Sequence, residues 1–123
     1  MVEQNRGLSR KGIRDWHIQR FSSVLLAVYS VLLLGSILVV PEMHFEAWRE
    51  LFLTTWMKMA TVIALLAVAA HAWIGMWTIG TDYLSHHNAG SKANGLRWVY
   101  QCVCLLVLLT YVIWGCRILW GNQ

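Results

Sequence analysis

An all-α membrane protein is the fold class this sequence predicts, with three transmembrane helices forming part of a hetero-oligomeric bundle. Three observations carry that reading. Of 123 residues, 58% are hydrophobic and 13% charged, against roughly 45–50% and about 25% in a soluble domain. The apolar residues gather into three runs, each near the ~20 residues that cross a hydrocarbon core as helix. A single histidine interrupts the middle run, and an ionisable group at that depth demands a partner. Disorder, a collagen-like fibre and a disulfide-stapled secreted module are all excluded by such a composition.

Residues 1–20 form a basic, amphipathic N-terminal segment carrying Arg6, Arg10, Lys11, Arg14 and Arg20. The first span covers about residues 21–40, without a charge, and stops at Pro41-Glu42. Its apolar core exceeds that of a signal peptide and no A-x-A-like site follows, so it reads as a retained anchor. In the next loop Phe45, Trp48, Leu51 and Phe52 share one helical face opposite Glu46, Arg49 and Glu50, which predicts an interfacial amphipathic helix. The second span covers about 59–80, broken only by His71. Residues 85–95 are turn-rich and predict a flexible loop. The third span covers about 98–120, with Arg117 close enough to its end to snorkel, and residues 121–123 form a tail. Backbone groups in lipid must be satisfied internally, so all three spans are helical.

Lys and Arg are densest before the first span, and Lys92 and Arg97 lie in the second loop. The positive-inside rule therefore puts the N-terminus and that loop in the cytoplasm, or a matrix equivalent, and turns the C-terminus outward. The net charge of +4 is a topology signal and calls for no nucleic-acid partner. Trp16, Trp56, Trp98 and Trp120 fit an aromatic belt.

Cys102 and Cys104 point to different helical faces, and Cys116 lies about 20 Å further along. None has iron–sulfur spacing, and no Gly-rich phosphate loop is present. Any flavin or iron–sulfur cluster therefore belongs to other chains.

His71 stands about 16–20 Å from either end of its helix, near the bilayer midplane. Ala60, Ala64, Ala67, His71, Gly75, Thr78 and Asp82 line one stripe at 100° per residue. Two readings follow. The stripe serves close packing, with a neutral imidazole bonded to a neighbouring helix; or it lets a flat macrocycle lie on the backbone, with the imidazole on its iron. His17, His44, His86 and His87 fall outside the spans, so a second axial histidine would have to come from another chain. Asp82 and Tyr83 read as a loop carboxylate and a belt aromatic, or together as a polar pocket for a quinone. Arg20 reads as a positive-inside anchor or as a partner for haem propionates. His86-His87 diverge and read as a solvated loop.

The run His71-Ala-Trp73-Ile-Gly75-Met-Trp77 with Asp82-Tyr83, together with Asp15, Arg20, the three-span layout and the length, resembles the small hydrophobic membrane anchors of bacterial succinate dehydrogenase (complex II). Residues 84–97, with His86-His87, depart from that pattern. The resemblance implies a succinate:quinone oxidoreductase anchor, with His71 as one axial ligand of a b-type haem shared with a second membrane anchor subunit. It implies that Tyr83 hydrogen-bonds ubiquinone, that Asp82 shapes that site or its proton supply, and that Arg20 approaches the propionates. FAD and iron–sulfur clusters would sit on the flavoprotein and iron–sulfur partner subunits. Two alternatives stand beside it: an anchor of a quinol:fumarate reductase, and a structural or assembly subunit without haem.

Overall fold

The computed structural model describes residues 2–121 apart from Pro41, Met43, His86, Asn88 and Ala89, and residues 2–9 by backbone alone. His86 and residues 122–123 of the expected tail thus lie outside the described residues. Helix α1 spans Val2–Val39, α2 Phe45–Leu53, α3 Thr55–Tyr83 and α4 Ala93–Trp120, with a 3₁₀ turn at Gly90–Lys92. Three stretches are long and apolar enough to cross a membrane: Arg10–Val39, Thr55–Tyr83 and Gly90–Trp120. The chain is a multi-pass membrane protein.

Helix α1 runs unbroken from the basic segment into the apolar one. Its 38 residues span about 57 Å at 1.5 Å per residue, well beyond a ~30 Å hydrocarbon core. Arg, Lys and Gln are good helix formers, so the change from charged to apolar residues near position 20 marks a change of solvent and not a helix end. The helix stops at Val39, just short of Pro41, because a residue before proline is pushed out of the α region.

The expected amphipathic helix is present as α2. Its Trp48 and Phe52 rings lie 4.8 Å apart. They face Leu65 of α3 and Gly115, Ile118 and Leu119 of α4 across an apolar cavity of about 410 Å³. Lys58 sits buried in the first turn of α3 with its Nζ 5.8 Å from the Trp120 ring centroid. That distance permits a cation–π contact, which joins the start of α3 to the end of α4.

Helix α3 is the shared neighbour, packed by α1 and by α4. Its contacts with α4 are made where a side chain is missing. A Cβ on Gly80 would lie 2.8 Å from Tyr100 Cε1, and one on Gly115 2.8 Å from Leu65 Cδ1. Membrane helices gain little from apolar burial against each other, so close approach and polar contacts carry their association. The buried apolar residues are accordingly few and mostly small, among them Ala64, Ala67, Ala93 and Cys104. Large apolar side chains such as Phe21, Val31, Leu38, Leu106 and Ile113 are exposed along the spans, as lipid or further helices require. The loop expected over residues 85–95 is shorter, since α4 begins at Ala93, which is fully buried. Gly90 adopts φ 58°, a left-handed conformation open to glycine that turns the chain into the 3₁₀ segment.

The α3–α4 crossing predicts that Gly80→Val displaces the Tyr100 ring and lowers stability by about 1–3 kcal/mol. The measurement is the thermal midpoint of the detergent-solubilised protein. Gly95→Ala, where a Cβ meets nothing within 4 Å, leaves that midpoint unchanged or slightly higher.

Candidate functional site

The polar groups inside the membrane meet where α1 crosses His71. Ser22 and Ser23 lie three and four residues after Gln19, so all three share one face of α1. Both hydroxyls donate to the Gln19 carbonyl, Ser22 at 3.0 Å and Ser23 at 2.7 Å. Their oxygens approach His71 Nδ1 at 3.2 and 3.4 Å. A hydroxyl has one hydrogen; with both hydrogens committed to the carbonyl, these oxygens accept and Nδ1–H donates. On the other side of the ring the Gln19 side-chain Nε2 lies 3.2 Å from His71 Nε2. An amide nitrogen only donates, so Nε2 offers its lone pair. With the Gln19 amide so oriented, the contacts on both sides of the ring are those of an imidazole protonated at Nδ1.

Two turns further along α1, Tyr29 and Thr61 repeat the pattern. Thr61 Oγ1 donates to the Met57 carbonyl at 2.8 Å, and Tyr29 Oη, 2.9 Å away, therefore donates to Thr61. These contacts run Ser22 with His71 and Tyr29 with Thr61, which makes α1 and α3 antiparallel. His71 thus lies level with the start of the apolar run of α1.

Ala67, buried, and Gly75, half-buried, lie one turn to either side of His71 on the predicted stripe. A Cβ on Gly75 would meet a single group within 4 Å, the Gln19 Nε2 at 3.9 Å. The Gln19 Oε1 is buried without a hydrogen-bond partner. The amide therefore rests between His71 and Gly75 on one hydrogen bond.

Arg20 is exposed, with its guanidinium 5.6 Å from the Trp16 ring centroid. On the opposite side of the α1–α3 pair, Lys11, Arg14 and Asp15 face Trp73 and Trp77 around a cavity of about 450 Å³. Lys11 Nζ lies 4.4 Å from the Trp77 centroid, and Arg14 is 3.7 Å from Asp15. Asp82 and Tyr83 are exposed in the last turn of α3, about 16 Å along the axis from His71. His87 is exposed as well, and among the described residues no three His, Cys, Asp or Glu side chains cluster for a metal ion.

The end of α3 also has a cation that the sequence reading did not assign to it. Arg97 Nη2 donates to the Leu84 carbonyl at 3.1 Å, and Leu84 N–H caps back onto Gly80. A positive charge at a helix C-terminus is favourable, and it offsets the adverse placement of Asp82 in that turn. Gln19, Ser22 and Ser23 were likewise missed. Their signal was polar side chains at i, i+3 and i+4 at the mouth of an apolar run, where each requires a polar partner.

Residues 2–113 match the family model of the succinate dehydrogenase/fumarate reductase transmembrane subunit. The chain is similar to the succinate dehydrogenase hydrophobic membrane anchor subunit of Coxiella burnetii (strain RSA 493 / Nine Mile phase I), 36% identical over 112 residues that cover 91% of each chain. It is also similar to the subunit of that description from Rickettsia conorii (strain ATCC VR-613 / Malish 7), at 27% identity over 114 residues, 89% of this chain and 86% of the relative.

Arg97→Met is expected to leave the Leu84 carbonyl without its charged donor. Amide hydrogen exchange at Tyr83 and Leu84 should accelerate roughly tenfold, the equivalent of about 1.4 kcal/mol and within the range for a charge-assisted bond.

Proposed function

Since the chain belongs to the succinate dehydrogenase/fumarate reductase transmembrane subunit family, and is a hydrophobic membrane anchor of succinate dehydrogenase, we propose that it contributes His71 to a b-type haem and Asp82 and Tyr83 to a ubiquinone site. The observation that carries the haem reading is the state of the imidazole. Its Nε2 faces a side-chain amide held by one hydrogen bond, and small residues flank it on the same face. A neutral imidazole nitrogen is the form that ligates iron. The residues present thus fit the group: His71 Nε2 would be the ligand, Ala67 and Gly75 would leave room against the helix, and Arg20 would pair with the propionates.

A haem so held supplies one-electron chemistry beside the quinone. In this reading the second ligand would come from a second anchor subunit, and electrons would come from an iron–sulfur partner on the cytoplasmic side, supplied by a flavoprotein that oxidises succinate. Tyr83 donates its phenolic hydrogen to a quinone carbonyl, and Asp82 in the same turn passes protons from the aqueous side. Arg97 on the Leu84 carbonyl keeps that turn helical, so the phenol and carboxylate keep their spacing.

A second reading is favoured by the same contacts. In it His71 only joins α1 to α3 through Gln19 and Ser22, and the protein acts as a structural anchor. The optical spectrum of the purified complex separates the two. The haem reading expects a reduced b-type band in the wild type that is lost or altered in His71→Ala; a His71→Ala complex with unchanged spectrum and haem content removes His71 from the ligand set.

For the quinone site, Tyr83→Phe is expected to slow quinone reduction about threefold to tenfold, the size of one hydrogen bond. Succinate oxidation by a soluble dye should stay near the wild-type rate. Equal loss in both assays would indicate defective assembly.

A further inference from the structure

Both ring nitrogens of His71 are engaged, and by opposite chemistry: one faces two hydroxyl oxygens, the other an amide donor. Ser22 is 3% exposed and is one of two buried polar or charged residues among those described. On the reading of His71 as an iron ligand, we propose that Ser22 and Ser23 are its positioning residues. They accept the Nδ1–H, hold the imidazole in the tautomer that presents Nε2 to the metal, and raise the donor strength of that nitrogen.

The Gln19 carbonyl sets the direction of these bonds. This oxygen accepts from both hydroxyls, so their hydrogens turn away from the ring and their lone pairs turn toward it. The opposite tautomer would set two N–H groups, of Gln19 and His71, against each other at 3.2 Å. The series from carbonyl to hydroxyl to Nδ1–H is polarised in one direction, and each bond strengthens the next. Density is drawn from the Nδ1–H bond into the ring, which makes Nε2 a better donor to a cation, as outer partners of metal-bound histidines commonly do. A stronger donor favours the ferric over the ferrous state, so these serines lower the potential of the haem. Serines that bond back to a carbonyl three or four residues earlier are common in membrane helices and need no ligand to explain them. What sets Ser22 and Ser23 apart is that their spare lone pairs converge on the imidazole.

The test uses the assembled complex and reads the haem itself. In Ser22→Ala/Ser23→Ala the haem content per complex is expected to remain at the wild-type level while the midpoint potential moves positive. The low-spin ferric EPR signal should shift with it. Ser22→Thr/Ser23→Thr keeps both hydroxyls and should restore the wild-type potential. A full haem complement with unchanged potential and EPR signal in the double alanine variant overturns the proposal, and leaves His71 as ligand untouched. Should that variant fail to assemble, the single variants Ser22→Ala and Ser23→Ala decide: a positive shift in either supports the proposal, and none in both overturns it. A His71→Ala complex with native spectrum and potential would instead remove the underlying reading.

Discussion

The register of α1 against α3 is fixed by hydrogen bonds, and the rest of the structure depends on that constraint. Two apolar helices in lipid can slide with little change in energy, because the tails are as apolar as the side chains. Ser22 with His71 and Tyr29 with Thr61 remove that freedom. Shifting α1 along α3 by one turn, about 5.4 Å, would part the imidazole and the phenol from their partners on the facing helix, each a loss of kilocalories. The placement of Lys11 on Trp77 follows from that alignment.

Local features of the fold were legible in the sequence. Each apolar run announces its own helix, and the alternation of Phe45, Trp48 and Phe52 with acidic residues announces α2. Limits of helices were less legible, because α1 runs on through the change from charged to apolar residues near position 20 with Gly12 inside it. Ala93 joined α4 for a reason visible only in three dimensions, the tie from Arg97 to the Leu84 carbonyl that closes the preceding loop.

The site was legible by half. His71 stands out because a lone ionisable residue in a span has no innocent local explanation. Its partners do not stand out, since a glutamine and two serines at the edge of a span are ordinary residues until the facing helix is known. Asp82 and Tyr83 lie about three turns along the same helix from His71.

The sparse interior has an evolutionary consequence. Where most side chains face hydrocarbon, one large apolar residue serves nearly as well as another, and substitutions there are close to neutral. Exchange would cost packing or hydrogen bonds at a short set of positions: the glycines at the α4 crossing, the buried alanines of α3, and the polar residues that lock the register. A lineage of such proteins can drift far in overall spelling and still keep the same three passes, with its recognisable vocabulary confined to a few turns around one histidine.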